Sequence, residues 1–242
     1  MNPHIKPLPH SDVAKKQQVE EMFNDISGKY DFLNHLLSFG IDKRWRKKLL
    51  ASIEFTKGVK VLDIATGTAD VALQIAREKK VNIIGADISE GMLSVGREKV
   101  KKRNLESLVE LVKGDAENIP FEDETFNIST VAFGVRNFQD LPKGLKEIHR
   151  VLKKEGQFRV LEFSIPKSKL VRWVFGLYFN KILPFIGKIV SKNSAAYTYL
   201  PVSVGAFPEG QDFCNILKEA GFLEISFQPL TFGISTLYSC KK

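Results

Sequence analysis

Short apolar runs alternate with helical patterns through the middle of this chain, and few folds can absorb that alternation. Residues 59–64 read as a strand, 69–79 as a helix, 81–86 as a strand and 90–103 as a helix. Strands follow at 108–112, 126–133 and 157–163, with a helix over 141–152 before the last of them. Strands of about five residues spaced by helices of about ten predict βαβ units and a parallel sheet. The runs are apolar almost throughout, as expected of strands covered on both faces. A further helix at 208–220 precedes two strand-like runs, 222–227 and 230–240, joined through Pro229. The expected class is therefore α/β, a Rossmann-like, mostly parallel seven-stranded sheet with helices on both faces.

The flanks set the domain organisation. At 242 residues the chain has room for one large domain. Residues 1–10 hold three prolines and two histidines and read as a loose tail. Across 11–56, Val19, Met22, Phe23 and Ile26 recur at helical spacing, and Gly28, Gly40 and Gly58 punctuate two or three helices. Residues 57–163 form the expected cofactor-binding core and 210–242 a C-terminal helix and strands. Between them, 164–209 break the rhythm: Trp173, Phe175, Tyr178, Phe179 and Phe185 alternate with Lys167, Lys169, Arg172, Lys181 and Lys188. That stretch predicts a helical cap. It reads either as a greasy lid with lysines against lipid headgroups or as an ordinary amphipathic cap.

Composition narrows the function classes. Hydrophobic residues at 43% and charged residues at 26% are those of a globular protein. Cys214 and Cys240 make no disulfide framework and have no metal-ligand spacing, so a reducing compartment and no metal are expected. The N-terminus shows no apolar signal region and no charge-free run reaches about 18 residues, so the expected location is cytoplasmic. The net charge of +8 admits an acidic partner, whether nucleic acid, an anionic membrane face or a phosphorylated ligand.

The chemistry concentrates in Asp63-Ile64-Ala65-Thr66-Gly67-Thr68-Ala69-Asp70, where a strand runs through small residues into a helix. Gly67 allows a tight turn and close approach of a ligand, and the helix start presents free N–H groups. Asp87 ends the second strand, 20 residues after Gly67, placed to accept both hydroxyls of a ribose. Asp115 follows the third strand, within reach of an adenine edge, and Asp63 either orients the loop or meets an ammonium group. A dinucleotide fold would want G-x-G-x-x-G, but here only Gly67 of the three glycines is present. Asp70 at the helix start has the wrong sign for a phosphate. The pattern favours S-adenosylmethionine over a nicotinamide dinucleotide.

Other blocks resemble one family. Residues 30–40, followed by Arg44-Trp45-Arg46, are similar to the N-terminal signature of the ubiquinone/menaquinone biosynthesis C-methyltransferases. Phe133-Gly134-Val135-Arg136-Asn137-Phe138 resembles their block after the fourth strand, and Tyr197-Thr198-Tyr199-Leu200 with Ser203 and Phe207-Pro208 resembles their cap segment. Arg150-Val151-Leu152-Lys153 and Leu161-Glu162-Phe163-Ser164 follow the same pattern, and the resemblance spans residues 19–240. The chain departs from it with Asp42 in place of a histidine, Ala69 in place of a glycine, and Lys154-Glu155-Gly156 in place of Pro-Gly-Gly.

The resemblance implies a class I methyltransferase fold, S-adenosylmethionine contacts at Thr68, Asp87, Asp115 and Ala116, and a prenylated quinol as acceptor. It implies demethylmenaquinol first, a methoxy-polyprenyl-benzoquinol second, and peripheral membrane association at the inner face. Carbon methylation needs electron density pushed onto the ring from a deprotonating hydroxyl. Arg136 is the candidate to stabilise that phenolate, Asn137 to hold the ring oxygen, and Tyr30, Tyr197 and Tyr199 to line the pocket or relay a proton. The competing readings pair Arg136 with a structural carboxylate such as Glu162 and bury the tyrosines in the core. His35 is a possible base by position and a packed histidine by context. Methylation of RNA is the more distant alternative, disfavoured by Phe133-Gly134-Val135-Arg136 where an N-P-P-[YF] block would stand, so no nucleic acid is expected.

Overall fold

The computed structural model describes residues 5–38, 40–178 and 195–242. Two helices, α1 (Lys15–Leu37) and α2 (Ile41–Ala51), precede the sheet. The core then runs β1 (Lys60–Ile64), α3 (Asp70–Lys79), β2 (Asn82–Asp87), α4 (Glu90–Lys102), β3 (Val109–Lys113), β4 (Phe126–Ala132), α5 (Leu141–Val151) and β5 (Leu152–Phe163). Helices α6 (Lys169–Leu177), α7 (Ala195–Ala206) and α8 (Gln211–Glu219) follow, then β6 (Leu223–Leu230) and β7 (Ser235–Lys241).

The strands form one seven-stranded sheet in the order β3-β2-β1-β4-β5-β7-β6, parallel except that β7 runs antiparallel to β5 and β6. The side-chain period of two sends alternate residues to opposite faces. Val61 packs with Leu49 and Leu73 on one face, while Leu62 and Ile64 pack with Leu145 and Phe158 on the other. Helix α5 shows how the local sequence makes an element. Leu141, Leu145, Ile148 and Val151 bury one stripe, and the Asp140 side chain caps the start by accepting from Lys143 N at 3.0 Å. The strand order reverses beside β1, where β2 lies to one side and β4 to the other. Doubly wound sheets bind ligands beyond the carboxyl ends of the strands at such a crossover.

Four expectations about boundaries need correction. Gly28 does not break a helix; it sits on the exposed face of α1 with open space where a Cβ would be. A mid-helix glycine costs about 1 kcal/mol, less than α1 recovers by burying Val19, Met22 and Ile26. Strand β5 begins five residues before Gln157, because α5 hands the chain directly to Leu152. The last helix begins at Gln211, past the left-handed Gly210, rather than at residue 208. Pro229 is no joint. On β6, an edge strand where proline is tolerated, it pairs with Thr236, and the turn falls at Thr231–Gly233. Of the expected cap, Phe179, Lys181, Phe185 and Lys188 lie outside the described residues.

Candidate active site

The loop after β1 is built by backbone conformation. Ala65, Gly67 and Ala69 all adopt positive φ, at 52°, 57° and 66°, folding the chain sharply before α3. Asp63 braces it from below: its carboxylate accepts from Thr66 Oγ1 and from Thr130 Oγ1, each at 2.6 Å, tying β1 to β4. Burial pushes the Asp63 carboxyl up to about 6. Asp87, at the end of β2, accepts from Gly67 N at 2.8 Å and from Ser89 N at 2.9 Å. Burial raises its proton affinity too, against the lowering effect of those N–H donors.

An open cleft lies above the carboxyl ends of β1 to β4. Gly67, Asp87, Asp115, Ala116, Asn137 and Tyr30 line it, so the fold gathers these six predicted residues around one space. A Cβ at Gly67 would meet nothing within 4 Å, so the loop backbone stands open to a ligand. Helix α1 straps across the opening. Lys16 Nζ reaches Asp115 Oδ2 at 2.6 Å and Glu117 Oε2 at 3.0 Å. Asn24 Oδ1 accepts from Ser89 Oγ and Gly91 N, both at 2.8 Å, and Asp31 accepts from Thr68 Oγ1 and pairs with Lys99 at 2.7 Å. Lys15 donates to the carbonyls of Arg136 at 3.1 Å and Phe138 at 2.8 Å, the residues flanking Asn137, and burial lowers its ammonium to about 8.

The turn after β4, which brings Asn137 to the cleft, carries buried polar groups without partners among the described residues. Residues 135–137 form a 3-10 turn after β4, with Phe133 before it at φ 59°. The Arg136 guanidinium is buried and pairs through Nη1 with Glu162 Oε1 at 2.7 Å. Among the described residues its Nε has no partner, nor has Asn137 Oδ1 or the buried hydroxyl of Tyr199, which α7 packs against this turn. Burial pushes the Tyr199 phenol up to about 12, and the nearby Arg136 charge pulls it the other way. Buried polar atoms are hydrogen-bonded in the great majority of cases, so three orphans at one turn mark a place for a polar ligand.

Three predicted site residues stand elsewhere. Asp63 lies beneath the loop, bonded to Thr66 and Thr130. Thr68 turns away from the cleft toward Asp31 and Lys99. Arg136 is ion-paired with Glu162, the alternative raised from the sequence, and its buried Nε has no partner among the described residues. The side chains of Tyr197 and His35 lie outside the described residues. His149 packs its ring edge-on against Phe222 at 5.2 Å, away from the cleft. Lys15 and Lys16 are site residues that the sequence does not mark, since adjacent lysines opening a polar helix carry no local sign of burial. Asp42, at the departure from the family pattern, is buried and pairs with Arg46 at 2.7 Å.

The chain matches known proteins over nearly its whole length. A model of the ubiE/COQ5 methyltransferase family covers residues 11–242. The demethylmenaquinone methyltransferase of Bacteroides fragilis is 43% identical over 242 residues, 99% of each chain. A ubiquinone/menaquinone biosynthesis C-methyltransferase of Geobacter sulfurreducens is 44% identical over 230 residues, 94% of this chain and 90% of that one. Among solved structures, a methyltransferase of Thermotoga maritima described as a possible histamine N-methyltransferase shares the fold at a TM-score of 0.66. It is 20% identical, with 92% of this chain and 99% of that chain covered.

Proposed function

The chain belongs to the ubiE/COQ5 methyltransferase family, and from that membership we infer that it methylates a ring carbon of demethylmenaquinol, forming menaquinol. It is an S-adenosylmethionine-dependent C-methyltransferase of menaquinone biosynthesis. The observation that carries the reading is a cleft that joins an open Gly67 loop, Asp87 and Asp115 to Asn137, on a turn where the polar atoms of Arg136 and of the adjoining Tyr199 are buried without partners among the described residues.

The residues present fit the cofactor. Asp87 would take the ribose hydroxyls, the open Gly67 backbone would admit close approach, and Asp115 with Ala116 would meet the adenine edge. Bound there, S-adenosylmethionine supplies an electrophilic methyl group on a sulfonium sulfur. Asp115 is shared in this structure with Lys16, so an adenine amine would compete with the ammonium for that carboxylate.

The protein's own contribution is orientation and charge placement. A quinol hydroxyl titrates near the phenol range of about 10, and its oxyanion is the electron source for attack by the neighbouring carbon. The Arg136 Nε–H can donate to that oxygen, while Glu162 keeps the guanidinium compensated in the dry interior. Asn137 Oδ1 can accept from the neutral quinol hydroxyl and so hold the ring in place. Tyr199, held neutral by burial, can donate to the same oxygen or to the second one. Phe133, tilted against Phe163 with ring centroids 4.7 Å apart, forms an apolar wall for the ring.

A prenylated acceptor resides in a lipid bilayer, and this supports work at a membrane surface. Among the described residues no helix is long and apolar enough to cross a membrane. Helix α6 instead exposes Leu170, Trp173, Val174 and Leu177 beside Lys169 and Arg172, the make-up of an interfacial helix.

A transfer assay tests the reaction. Purified protein, methyl-labelled S-adenosylmethionine and short-chain demethylmenaquinol are combined in detergent under reducing conditions, with the benzoquinol precursor and bulk RNA in parallel. Label on the naphthoquinol ring is expected. Label in RNA alone, or no label on either quinol while the cofactor binds, overturns the reading.

A further inference from the structure

We propose that Phe232, on the turn between β6 and β7, is a second membrane anchor that inserts into an anionic phospholipid surface beside α6. The inference rests on the reading that the enzyme works at a membrane surface, and names a contact within it.

Phe232 is 81% exposed, more than any other large apolar side chain among the described residues. Its backbone is unusual: Thr231, Phe232 and Gly233 take positive φ in succession, at 45°, 57° and 88°. A left-handed conformation suits glycine or asparagine; a threonine and a phenylalanine hold it only when their surroundings impose it. Those surroundings are visible. Trp45 Nε1 donates to Thr231 Oγ1 at 2.8 Å, and Ser164 donates through Oγ to Gly233 O at 2.8 Å and through N to Ile234 O at 3.0 Å. The turn is therefore locked at both ends while its central aromatic ring faces water. Strain kept in a rigid turn to display an apolar group indicates that the display has a use.

The same hydrogen bonds settle where that ring stands. Ser164 opens the segment that leads into α6, and a Cβ at Gly233 would lie 3.6 Å from Pro166 Cα. Phe232 and the start of α6 thus share one edge of the molecule. That edge carries Lys167, Lys169 and Arg172, all exposed, and residues 164–178 contain no Asp or Glu. The Glu209 carboxylate is taken up by Ile165 N at 2.6 Å, and apolar groups rimmed mainly by exposed cations match an anionic bilayer, where the rings enter the headgroup layer and the cations meet lipid phosphates. The edge also adjoins the acceptor side of the cleft. Trp45, which holds Thr231, packs against Phe133 at 5.9 Å and against Phe163 at 6.0 Å. Docking here would set that wall of the active site against the lipid from which a prenylated acceptor must come.

The test uses the full chain with Phe232→Cys carrying a nitrobenzoxadiazole label; Cys214 and Cys240 are buried, which directs the label to position 232. Emission is recorded with phosphatidylglycerol vesicles, with phosphatidylcholine vesicles and without lipid, at several protein concentrations. Sedimentation with the same vesicles compares the wild type and Phe232→Ser. The expected result is a blue-shifted, brighter emission on phosphatidylglycerol vesicles only. The serine variant is expected to partition about tenfold more weakly, with cofactor affinity unchanged. A silent label together with wild-type partitioning of Phe232→Ser refutes the anchor and leaves the membrane reading standing. Failure of the wild type to bind anionic vesicles at low salt refutes both. A blue shift without lipid that grows with protein concentration shows a second copy of the chain covering this edge and overturns the lipid assignment.

Discussion

Gly134→Ala isolates one contact on which the active-site wall depends. A Cβ at Gly134 would stand 2.5 Å from Ala65 Cβ and 3.3 Å from Val131 Cγ1. Carbon atoms sit comfortably at about 3.5–4.0 Å, so the overlap with Ala65 is about 1 Å. Neither side can yield cheaply. Ala65 is held in its left-handed bend at φ 52°, and Gly134 is bracketed by Phe133 N donating to Leu161 O at 2.7 Å and Asn137 N donating to Gly134 O at 3.0 Å. Forced overpacking of this kind costs about 1–3 kcal/mol. At about 2–4 °C per kcal/mol for a chain of this size, the melting temperature should fall by about 2–12 °C. Because Ala65 and Gly134 both line the cleft, cofactor affinity should fall as well. Ala65→Gly supplies the control. It removes the methyl that is struck and suits a positive φ, so alone it should change stability by less than about 1 kcal/mol. The double variant should return to within about 1 kcal/mol of Ala65→Gly. Urea unfolding gives the four corners of the cycle, and titration calorimetry gives the cofactor affinities. If Ala65→Gly leaves the cost of Gly134→Ala in place, the Ala65 contact is not its source and the reasoning fails.

Three further variants bear on the site. Asp87→Asn replaces a carboxylate that accepts from Gly67 N and Ser89 N, each a charge-assisted bond of about 1.5–3 kcal/mol, so cofactor Kd by calorimetry should rise at least tenfold; an unchanged Kd would remove Asp87 from the cofactor site. Tyr199→Phe deletes a buried hydroxyl with no partner, so stability should hold or rise by up to about 1 kcal/mol while kcat falls about tenfold or more; a loss of stability with intact turnover would make the hydroxyl structural. For Asp63, burial lifts the folded carboxyl to about 6, above an unfolded value near 3.9, so the folded state holds its proton more tightly. Wild-type stability relative to Asp63→Asn should therefore be lowest above pH 6 and rise by up to about 3 kcal/mol as pH falls from about 6 to 4; urea midpoints across that range that run parallel would contradict the shift.

How much of this was legible without the fold depends on how local each cause is. Strand β1, the Gly67 loop and Asp87 were readable because a strand end followed by small residues and a carboxylate 20 positions on is a pattern within one βαβ unit. The turn at Thr231–Gly233 was misplaced at Pro229 because nothing in Leu230-Thr231-Phe232 favours positive φ. That conformation is imposed by Trp45, 186 residues away in sequence. Lys16 was passed over for a similar reason, since its partner Asp115 lies 99 positions along the chain. The pairing of Arg136 with Glu162 was foreseen only as one of two readings; a residue's type tells which partners it can take, and the register of β4 beside β5 tells which it has.

The sequence by itself determined the layering, the parallel order of the core and the strand ends where a nucleotide can sit, because side-chain periodicity and turn residues act over a few positions. Only the tertiary structure decided that α1 straps the cleft, that Thr68 faces away from it, that Arg136 pairs with Glu162, and that Phe232 is held out into solvent. Each of these rests on a contact between segments that chain connectivity leaves free and only close packing brings together.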